Sequence, residues 1–472
     1  MSPYPLPDEL REFANVLERA GHECYLVGGA TRNMMLGLPS GDFDIATDAK
    51  PEEVQRLFRR VIPTGIQHGT VTVLYESHSI EVTTFRHDFE YADQRHPDGV
   101  VFVSSIEEDL QRRDFTMNAI AVRCVDGEVI DPTGGRRDIE TKTIRAIGNP
   151  DDRFGEDALR LLRACRFAAQ LGFEVEPRTR SAMRAHFRTL SSVSGERIRD
   201  ETMKILESKK PSIGFRMMAD TNILGVVFPE IDDAQQNHDE AEGFGVFEHM
   251  LNACDASPRN KPAVRLAALL HEIGQPESVS TDRTSRDSIS GSGLTSAQLA
   301  VPILRRLKNS RALERYVVLL IRHNSAGLGS EWSDARIRHL LHELGPGNID
   351  GLIDLRVADE SAVSNRSDIS RLHEEMMVLR SRVRRIERSG APLSIRELAV
   401  DGHLLANKAR IPRNAQMGLV TRFLLDAVLD DPSLNTKERL LQLALEYSEA
   451  NDPKPVDLRK PPREARQNGG GR

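Results

Sequence analysis

Short apolar or alternating runs mark the first part of the chain as β-rich, and apolar residues at helical spacing mark the rest. Tyr25-Leu26-Val27 is a brief buried strand that stops at Gly28-Gly29, and His68 to Tyr75 and Ser79 to Phe85 alternate with period two and pair as neighbours. In Gly41-Asp42-Phe43-Asp44-Ile45-Ala46-Thr47 the same period turns Phe43 and Ile45 toward a core and sends Asp42 and Asp44 together to the other side. Helices are predicted from Pro7 to Ala20, through Leu10, Phe13, Ala14, Leu17 and Ala20, then over Ala30–Leu36, and over Pro51–Phe58, where proline and two acids suit a helix start. Leu110 to Ala121 reads as a helix whose start carries Arg112, Arg113 and Asp114, with Asp114 near the cap. Glu156 to Leu171 is helical with Leu159, Leu162, Ala164, Phe167, Ala168 and Leu171 inward, and Ser394 to Glu446 reads as three short helices, the last capped by Asn435 or Thr436. The pattern predicts an α+β protein: a small N-terminal mixed sheet followed by an elongated, all-helical body.

Composition narrows the class. The 472 residues exceed one core and imply three or four domains, and 39% apolar with 29% charged residues describes a soluble globular protein. A net charge of −7 argues against a generally basic surface, so any nucleic acid must meet a local patch. Such a surplus lies between Ala158 and Arg199, where nine arginines, Arg160, Arg163, Arg166 and Arg197 among them, face only three glutamates. It reads as a solvated face or as a footprint for RNA phosphates. Cys24, Cys124, Cys165 and Cys254 stand far apart and form no zinc or disulfide framework. No apolar run approaches the ~20 residues a bilayer needs, and Met1-Ser2-Pro3-Tyr4-Pro5 has no basic leader, so a cytoplasmic protein with no membrane partner is expected.

The acids near the start carry the candidate chemistry. Asp42 and Asp44 share a face and repel unless a cation sits between them; alone, such a pair also describes a solvated strand edge. The turn Gly28-Gly29 opens a helix, where backbone N–H groups can approach a phosphate, and Arg32 in its first turn can grip the same anion. Glu81 supplies a third acid on a neighbouring strand. A phosphate cradle beside three acids suggests two-metal phosphoryl or nucleotidyl transfer.

Leu26 to Arg32, Gly41 to Thr47, Glu81 to Arg86, Arg112 to Ala119 and Glu156 to Arg160 together resemble the class II tRNA nucleotidyltransferases, the CCA-adding enzymes, which share their fold with bacterial poly(A) polymerases. The resemblance implies a nucleotidyltransferase head in which Asp42 and Asp44 hold two Mg²⁺ ions, Glu81 supports them, and Gly28, Gly29 and Arg32 position a triphosphate. Arg112, Arg113 and Asp114 would neutralise phosphate and select ribose. Asp157 and Arg160, three apart on one predicted helix face, would read CTP and ATP: a carboxylate accepts from the amine of cytosine or adenine and meets an acceptor on uracil or guanine. As residues alone, the same two describe a surface salt bridge. Ser194-Gly195-Glu196-Arg197 and Glu201 would buttress that helix, and tRNA would be the acceptor. Asn33 stands where the family has aspartate, and His96, in the polar loop His87–Gly99 that the resemblance links to A addition, where a second arginine is common.

Farther on, Ile231 to Gly245 is an acidic linker. His249, His271-Glu272 and Asp359 resemble a helical His-Asp phosphohydrolase domain, read as degenerate because Glu272 replaces aspartate and no histidine lies near Gly291-Ser292-Gly293. His323 is expected on a helix surface, and the tail from Pro453 is expected to be disordered. The domains are then a head over 1–150, a helical neck over 151–235, the His-Asp-like domain over 244–390, a tRNA-binding segment over 391–450, and the tail 451–472. Rival readings are a poly(A) polymerase, a metal phosphohydrolase acting through His249, His271 and Asp359, and a tRNA-binding protein with an inactive head.

Overall fold

The computed structural model describes residues 6–39, 43–88, 100–236, 245–274, 291–324, 328–329, 331–345, 347–363 and 366–451. Gly41 and Asp42, residues 89–99 with His96, residues 237–244 of the acidic stretch and the tail from 452 lie outside the described residues. The described residues group into two units, one within Met1–Gly327 and Gly351–Ile369, the other within Leu328–Asp350 and Ser370–Arg472.

Helix α1 (Asp8–Arg19) begins with two acids, ends with an arginine, and buries Leu10, Phe13, Ala14 and Leu17. Strand β1 (Tyr25–Leu26), helix α2 (Gly28–Met35), strand β2 (Phe43–Thr47) and helix α3 (Pro51–Leu57) follow, then strands β3 (Val61–Gly65), β4 (Thr70–Tyr75) and β5 (His78–Thr84). Strands β6 (Arg86–Asp88) and β7 (Val100–Phe102) form a separate ribbon, and after helix α4 (Ile106–Gln111) the chain adds β8 (Ala121–Arg123) and β9 (Val129–Ile130). The main sheet is mixed, in the order β3-β4-β5-β2-β1-β8-β9; β2 and β5 run parallel and every other pair antiparallel.

Strand periodicity divides the apolar side chains between two cores. Leu26, Ile45, Val71, Val73, Ile80, Val82 and Val122 pack with α1 and α3, where the Phe13 and Phe58 rings stack at 4.5 Å. On the other side Tyr25, Val27, Ala46, Phe85 and Ala121 pack with Ile106 and Leu110 of α4. Beyond the end of that second core, the face is left open.

Leu110–Ala121 does not form the helix expected from its sequence. Helix α4 ends at Gln111, so Arg112, Arg113 and Asp114 follow a helix, and after them come a single 3₁₀ turn, Thr116–Asn118, and β8. The Asp114 carboxylate bends the chain by accepting from the Phe115 N–H at 2.8 Å and the Asn118 amide at 3.0 Å. The apolar run that resembled a helix is a short strand buried on both sides, which hides the alternation.

The rest of the described chain is helical apart from the two-residue pair Thr143–Ile144 and Glu174–Val175. Helices α5 (Gly135–Glu140), α6 (Pro150–Glu156), α7 (Leu159–Leu171), α8 (Pro177–His186) and α9 (Gly195–Leu206) follow the sheet in the chain. The stretch read as an acidic linker begins instead as the helix Pro229–Gln236. Buried Arg265 joins three chain segments by donating to the carbonyls of Leu206, Ser208 and Ser257. In the second unit Arg338 is buried and donates to the carbonyls of Leu429 and Asp430, satisfying the C-terminal end of the helix Ala415–Asp430. Thr436 accepts the Arg439 N–H at the start of the helix Lys437–Asn451, while Asn435 binds the Ala399 backbone. Among the described residues no helix is long and apolar enough to cross a membrane.

Candidate active site

Parallel pairing of β2 with β5 sets Asp44 directly beside Glu81, and antiparallel pairing of β4 with β5 sets Thr72 on the other side of Glu81. Directly paired residues project to the same face, so both carboxylates leave the sheet together, on the face opposite α1 and α3. They border a cavity of about 760 Å³ within the first unit, lined also by the start of α2, by Arg112 to Asp114, and by α7 and α9. Every sequence-predicted site residue that is described lies on this cavity: Gly28, Gly29, Arg32, Asp44, Glu81, Arg112, Arg113, Asp114, Asp157, Arg160, Arg163, Arg166 and Arg197.

The α2 end is shaped for an anion. Val27 is extended, the helix begins at Gly28 with no acid in its first turn, and Gly28 itself holds φ +68°. A Cβ at Gly28 would lie 3.3 Å from both Asp44 Oδ2 and Arg113 Nη1, so glycine lets an acid and a cation approach the same turn. Arg32 is buried and donates to Asn118 Oδ1 at 2.7 Å and to Asn33 Oδ1 at 2.9 Å. Burial, and then the charge of Arg166, pull its pKa down to about 10, so it stays cationic at neutral pH.

Several of the cations that line the cavity are held by acids. Asp109 of α4 takes both Arg112 and Arg113. Asp114 Oδ2 accepts from Arg163 Nε at 2.7 Å and Nη2 at 2.5 Å, Glu201 accepts from Arg166 at 2.6 Å, and Asp157 accepts from Arg197 at 2.8 Å. Arg163, Arg166 and Arg197, expected on an RNA-facing surface, line the cavity, Arg163 and Arg197 held by its acids Asp114 and Asp157 and Arg166 by Glu201 behind it. Other arginines of the basic run lie elsewhere, Arg180 and Arg184 on Asp220 and Arg199 on Asp200, so the run does not form one face.

Burial alone would raise the Asp114 carboxyl, but the charge of Arg163, then the Asn118 amide, outweigh it and bring it to about 2. Because this lies below the unfolded value near 3.9, the pair adds stability above about pH 4 that is lost as pH falls toward 2. We expect Asp114→Asn to cost about 2 kcal/mol at pH 7. Melting curves at pH 7 and pH 3 should show that deficit shrinking in acid; a deficit unchanged with pH would contradict the assignment.

Asp157 and Arg160 reach the cavity by a different route from the predicted one. Asp157 is extended, between the end of α6 and the start of α7, and its Oδ1 accepts the Leu159 N–H at 3.0 Å. An aspartate that hydrogen-bonds the next turn ends one helix and starts another, so the two residues do not share a helix face: the Arg160 N–H donates to the Asp157 carbonyl at 3.0 Å, while their side chains take other partners. Arg160 instead donates to Glu156 at 2.5 Å, to the Arg153 carbonyl, and to the Arg112 carbonyl at 3.1 Å, which links α7 to the head.

Two residues not singled out for the site belong to it. The buried ring of Phe167 packs edge-on to Phe115 and has the guanidinium carbons of Arg166, Arg32 and Arg163 at 4.1, 5.2 and 5.5 Å from its centroid. Its sequence signal was only an inward helix position. Asp109 had a legible signal, an acid three and four residues before Arg112 and Arg113 on a helix. Arg113 Nε and Arg197 Nη1 are buried without a hydrogen-bond partner among the described residues.

A second cluster lies far along the chain. His249, His271, Glu272 and Asp359 bring ligand atoms within 4.8 Å of one another. Asp359 Oδ1 accepts from both histidines, at 2.8 and 3.1 Å, and its Oδ2 from Asn324 at 2.8 Å. Burial would lower the His271 pKa, but Asp359 raises it to about 9. His323, expected on a helix surface, is buried.

The Poly A polymerase head domain family matches residues 24–145, and the family described as probable RNA and SrmB-binding site of polymerase A matches residues 172–235. The chain is 44% identical over 263 residues to a CCA-adding enzyme of Latilactobacillus sakei, covering 52% of this chain and 66% of that one. It is 48% identical over 208 residues to the CCA-adding enzyme of Bacillus subtilis, covering 44% and 52%. The matched stretch thus spans between half and two thirds of these relatives. In three dimensions the chain is similar to the Bacillus stearothermophilus CCA-adding enzyme crystallised with CTP, with a TM-score of 0.71 and 28% identity over 94% of this chain and 99% of the other.

Proposed function

Because the chain belongs to the class II tRNA nucleotidyltransferase and poly(A) polymerase family, we propose that it adds C, C and A to the 3′ end of tRNA, taking CTP and ATP as substrates and releasing pyrophosphate. The observation that carries this reading is one cavity lined both by the Asp44–Glu81 pair and by Asp157 and Arg160.

The family works with divalent metal, and the residues suit it. Adjacent carboxylates offer the hard oxygen donors that Mg²⁺ prefers, and the Gly28 turn keeps Asp44 beside the anion cradle. We assign Asp44, with Asp42 of the same motif, to hold two Mg²⁺ ions, and Glu81 to support them. The chemistry supplied by the bound ions is a lower pKa for the attacking 3′ hydroxyl and neutralised charge on the triphosphate.

The chain's own residues do the rest. Gly28, Gly29 and Arg32 present N–H groups and a buried cation to the triphosphate, and Arg112 and Arg113 balance its charge. Asp114 faces the ribose. The Asp157 carboxylate accepts from the amine of cytosine or adenine, and the Arg160 guanidinium donates to neighbouring ring acceptors, so protein atoms act as the template. Arg163 holds Asp114 and Arg197 holds Asp157 in place, and together with Arg166 they add positive potential that draws the RNA end inward.

We further read residues 1–150 as the head, 151–235 as the templating neck, 244–390 as a structural remnant of a His-Asp domain held by the His271–Asp359 ion pair, and 391–450 as a tRNA-binding segment. Four buried thiols without a disulfide accord with a reducing cytoplasm.

A tRNA lacking its last three nucleotides, incubated with single nucleotides, tests the function. CTP alone should add two residues, CTP with ATP three, and ATP alone none. A long A tail from ATP alone would overturn the reading in favour of a poly(A) polymerase.

A further inference from the structure

Asp109 is among the most buried acids described, its side chain 1% exposed, and its carboxylate is shared between two arginines that line the cavity. Oδ1 accepts from Arg112 Nε at 2.9 Å and Nη2 at 2.8 Å, and from the Arg86 backbone N–H at 3.3 Å. Oδ2 accepts from Arg113 Nη2 at 3.1 Å. Its neighbours Ile106 and Leu110 on α4 pack in the core with Phe85, which anchors the helix that carries the acid. The Arg112 carbonyl in turn receives Arg160 Nη2 at 3.1 Å, and Arg113 Nη1 lies across the Gly28 turn from Asp44. One buried carboxylate therefore sits at the junction of the phosphate cradle, the acid pair and the templating arginine.

We infer that Asp109 is a positioning residue for nucleotidyl transfer, fixing Arg112 and Arg113 against the triphosphate and, through the Arg112 carbonyl, setting Arg160 for the base. The inference rests on the reading of the cavity given above. Arginine is a flexible side chain, and two guanidinium groups side by side repel; a shared carboxylate behind them removes both problems before the nucleotide arrives. Burial would raise this carboxyl, but Arg113 and then Arg112 hold it below its ordinary value, so it carries full charge at neutral pH. Asparagine there keeps the volume and one acceptor but loses the charge that collects both forks.

The test compares full-length Asp109→Asn with wild type on truncated tRNA. The expected result is a fall in kcat/KM for CTP of roughly 10- to 100-fold, with the inhibition constant of pyrophosphate rising in step with KM for CTP. The preference for CTP over UTP should fall as well, while KM for tRNA stays unchanged. A folded variant with wild-type CTP kinetics, or with KM for tRNA raised as much as KM for CTP, overturns the inference. Should Asp109→Asn not fold, Arg112→Lys takes its place: it keeps the charge but not the fork on Asp109, and wild-type CTP kinetics and CTP-over-UTP preference would overturn the inference equally. Failure of wild type itself to extend the truncated tRNA would overturn the reading of the cavity, a result distinct from either.

Discussion

Asp44→Asn is expected to reduce CMP incorporation into truncated tRNA by on the order of a thousandfold or more, because it removes a charge worth several kcal/mol of transition-state stabilisation. The variant should melt as wild type does, since asparagine has the same size and Asp44 lies on the open face of the sheet, away from both cores. Glu81 cannot replace it. The two carboxylates lie side by side, yet only Asp44 also borders the Gly28 turn. Activity within about tenfold of wild type would remove Asp44 from the catalytic assignment.

The second large effect falls on choice of base. Asp157→Ala should raise incorporation of UMP and GMP relative to CMP by roughly 10- to 100-fold, as the group that meets an unfavourable acceptor on uracil or guanine is gone. A further cost of about 1 kcal/mol in stability should follow, because the same carboxylate starts α7. Competition assays with mixed nucleotides measure the first effect and melting the second. An unchanged preference in a variant that shows the melting shift would leave Asp157 as a helix cap and no more.

Much of the head was legible because strand periodicity is simple. Asp44 and Glu81 project together for the reason the alternation gives, and the Gly-Gly turn before a helix was visible as such. Strands β3, β8 and β9 were not legible. They are two to five residues long, and β8 is buried on both faces, so no alternation marks it. The position of Asp157 was misread because an aspartate inside an apolar periodic run can restart a helix as easily as decorate one, and only its bond to the Leu159 N–H shows which. Which acid holds which arginine is likewise a matter of three-dimensional approach: Arg163 reaches Asp114 from 49 residues away, and Arg197 reaches Asp157 from 40. The arginine run that resembled one RNA-binding surface is divided between this cavity and separate surface pairs, and sequence spacing alone cannot divide it.

In the proposed reaction the acids of β2 and β5 hold metal beside a bound triphosphate. Counting bound Mn²⁺ by paramagnetic resonance during a titration with CTP measures this directly, in wild type and in Asp44→Asn. Wild type with CTP should bind two ions per chain, and Asp44→Asn should lose at least one of them. An equal count in both proteins would contradict this.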